Sequence, residues 1–221
     1  MKTISNTRAS ALFEYRRGWF DFRRRELEVM ENGLKIDTGL PLLSNEKFIP
    51  YHQIEGFRYG IKWIRGFYFH VAIDFRFYFL LKDKTSIALT YRTYYGLRKK
   101  QYHQLFGEIL DAVWNRIFVR RVKELLELLN SNNEITINDV RISKEGVNIR
   151  TSGIIMSEWT FIPWTELDTS DYMTYFVIYS KKDKAKINCS YRYADDWNVA
   201  VLNAVVRSVL TNLTTAAEHS H

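Results

Sequence analysis

The 221 residues include a single cysteine, Cys189. One thiol excludes an internal disulfide framework and a cysteine-built zinc site. Cys189 is expected to be a small hydrophobe on a strand, which fits a reducing compartment. Long uncharged hydrophobic runs are also missing. The most apolar stretch, Ile61 to Leu81, carries Lys62, Arg65, His70, Asp74 and Arg76, too many ionisable groups for a membrane span. The start, Met1 to Arg8, lacks an apolar core followed by a small-residue cleavage site, so no signal peptide is expected. The histidines (His52, His70, His103, His219 and His221) form no spaced ligand pair, and no metal is expected. Glycine-rich phosphate loops and a Gly-x-Ser-x-Gly elbow are absent. Cys189 has no evident base, and Asp195-Asp196 reads as a helix start. Neither an enzyme nor a cofactor is expected.

Proline is scarce too, and two of the three prolines mark what the chain does contain. Phe48-Ile49-Pro50-Tyr51 recurs as Phe161-Ile162-Pro163-Trp164. Gly33-x-x-Ile36-x-Thr38 recurs at the same offset as Gly146-x-x-Ile149-x-Thr151. Farther on, Lys82-Asp83-Lys84, Ile87 and Tyr91-Arg92 recur as Lys182-Asp183-Lys184, Ile187 and Tyr191-Arg192. The offset falls from 146 − 33 = 113 to 182 − 82 = 100. The first copy therefore holds 13 extra residues, between Tyr51 and Phe79. Internal repetition of this kind decides architecture first.

Each copy reads as strands followed by one helix. In the second copy, strands are expected at Glu134–Ile142, Val147–Thr151, Ser157–Trp164, Thr174–Ser180 and Lys186–Ser190. A helix follows from Asp195-Asp196, with Leu202, Val205, Val206, Val209, Leu210 and Leu213 on its buried face. In the first copy every odd position from Phe67 to Leu81 is apolar, the period of a half-buried strand. That stretch is long for one strand, so a bend or a turn near Asp74 is expected. The register predicts that Tyr175, Val177 and Tyr179 repeat Phe75, Phe77 and Phe79. From Gly96 to Asn130 the pattern is helical, with two apolar stripes. Phe106, Leu110, Val113 and Ile117 form one; Phe118, Val122, Leu125 and Leu129 form the other, rotated by one residue or about 100°. One long helix, or a break near Arg120-Arg121, accounts for this.

The second copy resembles the bacterial pleckstrin-homology-like (PH-like) domains of the YcxB-like kind. Gly146-Val147-Asn148-Ile149, Ile162–Leu167, the Tyr175–Tyr179 strand, the polar Lys181–Lys184 turn and the closing helix carry the resemblance. It covers residues 134–213 and, through the repeat, 20–117. It implies an α+β protein of two bent antiparallel β-barrels, each closed by a C-terminal helix and joined by a long helix. The expected layout is a first domain over 1–118 with its helix continuing to about 130, a second over 134–215, and a disordered tail over 216–221. The family supplies no catalytic motif.

The net charge is +7. Residues 1–118 contribute 20 − 12 = +8 and residues 119–221 contribute 12 − 13 = −1. Clusters lie at Arg16-Arg17, Arg23-Arg24-Arg25 and Arg98-Lys99-Lys100. Such asymmetry is either solvated surface or the mark of an anionic partner. The candidate binding residues are Lys62, Trp63 and Arg65, in the expansion unique to the first copy, and the paired Tyr91-Arg92 and Tyr191-Arg192. For these pairs the bland reading is an arginine bonded to loop carbonyls or a helix end. The expected function is a non-catalytic tandem binding module for a protein or peptide, located in the cytoplasm. The alternative is peripheral binding to anionic lipids at the inner membrane face through the basic half, and nucleic acid ranks third.

Overall fold

The computed structural model describes residues 4–7, 10–18, 23–39, 45–68, 70–152 and 157–218. The chain is α+β and divides into two compact units, Met1–Phe118 and Val119–His221.

Unit 1 begins with a five-stranded antiparallel sheet in sequence order: β1 (Ile4–Thr7), β2 (Ser10–Tyr15), β3 (Arg25–Val29), β4 (Gly33–Asp37) and β5 (Glu46–Pro50). A short 3-10 turn at Tyr51–Gln53 leads to a three-stranded sheet of β6 (Ile54–Arg65), β7 (His70–Leu81) and β8 (Ser86–Tyr94). Helix α1 (Lys99–Val113) closes the unit. Its buried residues Leu105, Phe106, Ile109 and Val113 recur at helical spacing. Phe106 meets Phe77 at 4.7 Å and Phe75 at 5.8 Å between ring centroids, within range for favourable aromatic pairs. Leu110 is only half-buried, so the stripe leans toward Leu105 and Ile109.

Unit 2 opens with helix α2 (Val119–Asn130), whose Leu125 and Leu129 are buried. A four-stranded antiparallel sheet follows: β9 (Ile135–Ile137), β10 (Val140–Ile142), β11 (Gly146–Ser152) and β12 (Ser157–Pro163). Then come a three-stranded sheet of β13 (Leu167–Asp171), β14 (Tyr175–Ser180) and β15 (Asn188–Arg192), and helix α3 (Val199–Glu218). Asn203 and Arg207 of α3 reach Asp171 at 2.9 and 3.6 Å, and Tyr193 donates to the same carboxylate at 2.7 Å. Within each unit the strands form two separate sheets, and neither closes into a barrel.

The repeat is visible as equivalent hydrogen bonds. Met30 N–H donates to Gly33 O at 2.9 Å, as Ser143 N–H does to Gly146 O at 2.9 Å. Tyr51 and Trp164 donate from their side chains to the carbonyls of Met30 and Ser143 respectively. Both aromatics use a polar tip to fasten the same turn. Gly33 faces Pro50 across the strands, as Gly146 faces Pro163. A Cβ at Gly33 would lie 2.6 Å from Ile49 O, and at Gly146 2.3 Å from Ile162 O. The glycines are there for space. The helices α1 and α3 are entered through left-handed residues, Arg98 (φ 56°) and Asn198 (φ 57°).

Several expectations are corrected. The chain makes no turn at Asp74: β7 runs unbroken from His70, and the turn falls between Arg65 and His70. Phe67 is therefore a turn residue; Phe69 lies outside the described residues. The 13 extra residues lengthen one hairpin, with β6 and β7 of 12 residues each against 5 and 6 for β13 and β14. Phe176, Ile178 and Ser180 are the buried residues of β14, whereas Tyr175, Val177 and Tyr179 are on the other face and only half-buried. The last pair before the loop is Leu80↔Ser86 in unit 1 and Tyr179↔Asn188 in unit 2, enclosing 86 − 80 − 1 = 5 and 188 − 179 − 1 = 8 residues. The two hairpins differ by an odd number, and such a slip exchanges the faces of a strand. The expected strand over Glu134–Ile142 is a hairpin, turned at Asn138 with φ 55°. Strand β13 escaped notice because Leu-Asp-Thr-Ser-Asp has no apolar alternation.

Helical backbone does not break at Arg120-Arg121. Instead Trp114–Phe118 forms a π-helical turn. A π turn absorbs one extra residue, which is the shift between the two stripes. It stacks Phe118 on Phe57 at 4.8 Å. In α3, Asp195 and Asp196 lie before the helix, and Asp196 Oδ2 accepts from Arg192 N–H at 2.7 Å. Helix α3 extends to Glu218, so residues 216–218 are helical; Leu213 is exposed.

Candidate binding site

Consecutive residues of a strand point to opposite faces, and this separates each Tyr-Arg pair. Tyr91 is 1% exposed and stacks on Phe75 at 5.1 Å. Tyr191 is also buried, and its hydroxyl has no hydrogen-bond partner among the described residues. Burial pushes both phenols far above their ordinary range. Neither offers an aromatic surface to a ligand, which corrects that part of the expectation.

The arginines point the other way. Cross-strand from Arg92 is Asp74, which is buried and accepts hydrogen bonds from Arg92 and, at 2.6 Å, from Arg76. Burial alone would raise the Asp74 carboxyl, but the Arg92 and Arg76 hydrogen bonds outweigh it and hold it below its ordinary value. Arg92 is thus committed to a carboxylate, neither to a loop carbonyl nor to a ligand. Arg192 is exposed and lies 3.6 Å from Asp195, a contact of little energetic weight. The Arg23-Arg24-Arg25 cluster is likewise internal business. Arg25 is fully buried and donates to Gly39 O, Arg23 pairs with Asp37, and Arg24 lies 3.5 Å from Glu14.

Lys62, Trp63 and Arg65 are brought together at the end of the long β6–β7 hairpin, all exposed. Trp63 is 44% exposed, with the His70 ring at 5.1 Å and the Lys99 ammonium at 4.7 Å from its ring. The turn itself presents Phe67 and Tyr68, 101% and 98% exposed. Two fully solvated aromatics at the tip of a paired ribbon are unusual for a surface that meets only water.

A cleft of about 410 Å3 opens beside the same hairpin in unit 1. Its walls include Arg16, Arg92, Tyr94, Leu97, Arg98 and Tyr102. Tyr94 is the cross-strand partner of Ala72, two residues from the start of β7. The hairpin turn thus begins roughly 7 Å along the strand from the cleft. A tight turn builds the far wall: Leu97 N–H donates to Tyr94 O at 2.9 Å, Lys99 N–H to Gly96 O at 3.1 Å, and Thr93 Oγ1 to Leu97 O. Tyr95, Gly96 and Arg98 all have positive φ there. Burial raises the Tyr102 phenol, while the positive charges of Arg98 and Arg16 pull it down. Both arginines line the same cleft as that phenol. Among the described residues neither Arg16 nor Arg98 has a carboxylate partner, and no Asp or Glu lines the cleft.

Sequence reasoning marked Arg16 and Arg98 as parts of charge clusters but did not join them. They sit at opposite ends of the first copy, and only the fold brings them to one cavity. Burial pushes the Cys189 thiol up, away from the thiolate form. Among the described residues no group of three or more His, Cys, Asp or Glu is placed to hold a metal, and no helix is long and apolar enough to cross a membrane. No family model matches the chain, and neither a curated protein nor a solved structure matches it.

Proposed function

We propose that the chain is a non-catalytic tandem binding module of PH-like plan, and that unit 1 attaches reversibly to an anionic lipid surface through its β6–β7 hairpin. The order of a larger antiparallel sheet, a three-stranded sheet and a closing helix, repeated in both units, supports the PH-like reading. The exposed pair Phe67 and Tyr68, flanked by Lys62, Trp63 and Arg65, carries the lipid reading. Aromatic rings on a basic mount suit the boundary between headgroups and acyl chains.

The energies suit transient attachment. Burying each tip ring is worth about 1.5–3 kcal/mol, and each basic residue near an anionic surface about 1 kcal/mol. Two rings and two cations give about 5–8 kcal/mol, hence dissociation constants from about 200 μM down to about 1 μM. Flotation with phosphatidylglycerol vesicles at low salt tests this. Binding is expected, with loss at high salt, on neutral phosphatidylcholine, and in the Phe67→Ser/Tyr68→Ser variant. Full-length protein that stays out of the lipid fraction at low salt removes the lipid reading and leaves the protein-or-peptide partner in its place.

A further inference from the structure

The cleft beside the hairpin has a chemistry of its own. Its two cations without carboxylate partners, Arg16 and Arg98, line the cleft together with Tyr102, and no acid is in the lining among the described residues. Like charges held together without a counter-charge destabilise the folded chain, unless an anion joins them. The third arginine, Arg92, is already bonded to Asp74, a carboxylate it shares with Arg76, and is less available to a ligand than Arg16 and Arg98. The walls also offer phenol donors from Tyr94 and Tyr102 and an apolar side from Leu97. A cavity of about 410 Å3 falls in the range of small-molecule sites.

From this arrangement we infer that the cleft binds a phosphomonoester, held between Arg16 and Arg98 and bonded by the Tyr102 hydroxyl. Two guanidinium groups match the charge of about −1.5 to −2 carried by a phosphomonoester at neutral pH. A phosphodiester or a sulfate ester carries one charge and leaves one arginine unanswered. Guanidinium forks bond phosphate oxygens in pairs, a geometry that lysine does not supply. The inference rests on reading unit 1 as an anion-facing module, but it needs no membrane.

Phenyl phosphate is the probe, titrated calorimetrically into the full chain at constant ionic strength. Saturable binding is expected, weakened about tenfold or more in Arg16→Gln and in Arg98→Asn, since one charge-assisted bond is removed in each. Asparagine tolerates the left-handed backbone at position 98. Leu97→Trp, at an exposed site, blocks the cleft without touching a core and should abolish binding. The source of the phosphate is read on vesicles of equal charge. A preference for phosphatidic acid over phosphatidylglycerol that Arg98→Asn removes identifies a lipid headgroup; soluble binding without that preference identifies a free phosphate. The Phe67→Ser/Tyr68→Ser variant should keep its phenyl phosphate affinity while losing flotation, so the two readings fail separately. No heat with phenyl phosphate, an equal response to phenyl sulfate or succinate, or unchanged affinity in both arginine variants and in Leu97→Trp overturns the inference.

Discussion

Replacing Gly146 by alanine tests the most local claim about the repeat. The added Cβ would sit 2.3 Å from Ile162 O, 2.8 Å from the Phe161 ring and 2.8 Å from Pro163 Cα. The ring can swing aside, because Phe161 is 48% exposed. The carbonyl cannot, because Ile162 is paired with Val147 on β11. Relief requires the two strands to part by several tenths of an ångström, which strains the ladder on either side. Overpacking of this kind costs about 1–3 kcal/mol. Gly107 is the control: it lies within α1, and a Cβ there meets nothing within 4 Å. Gly107→Ala should stabilise by about 0.5–1 kcal/mol, because helical glycine loses more backbone entropy than alanine. Urea unfolding of each variant against the parent, followed by far-UV circular dichroism, reads both. Adding Phe161→Ala to Gly146→Ala should not restore stability, because the limiting neighbour is backbone. A Gly146→Ala protein as stable as its parent, or one fully rescued by removing the ring, would refute the argument that close strand approach selects glycine.

Gly33→Ala should behave in the same way, at about 1–3 kcal/mol, since its Cβ would meet Ile49 O at 2.6 Å; the same denaturation series checks it. Asp74→Asn should destabilise unit 1 by about 1–3 kcal/mol, less than a fully buried pair because Arg92 and Arg76 are 38% and 30% exposed. The folded carboxyls of Asp74 and Asp37 both lie below the ordinary value of 3.8. Their contribution is therefore complete above that value and lost as pH falls through the lower folded value, so melting temperature should be insensitive to them from pH 5 to 8 and decline in acid. That acid decline should be smaller in Asp74→Asn. Tyr91→Phe removes a buried hydroxyl that has no hydrogen-bond partner among the described residues, and stability should change by less than about 0.5 kcal/mol or rise. A loss above about 1.5 kcal/mol would reveal a partner for that hydroxyl.

Repetition, the basic first half and the location of the 13-residue expansion were legible in one dimension, because identity, charge and length are properties of sequence. So was the one-residue rotation between the helical stripes, which the fold realises as a π turn at Trp114–Phe118. Other features depend on which strand lies opposite which. Loop length set the face of β14, so the apparent match of Tyr175 to Phe75 put the wrong residues in the core. Pairing with Asp74 decided the fate of Arg92, and pairing with Asp37 that of Arg23; a list of positive residues counts both as free. The cleft shows the divide most plainly. Sequence determined that Arg16 and Arg98 carry charge, but whether a charge is neutralised, buried or left facing a cavity is a matter of distance. Only the tertiary structure sets that distance, because Coulomb and hydrogen-bond energies fall with separation in space, not along the chain.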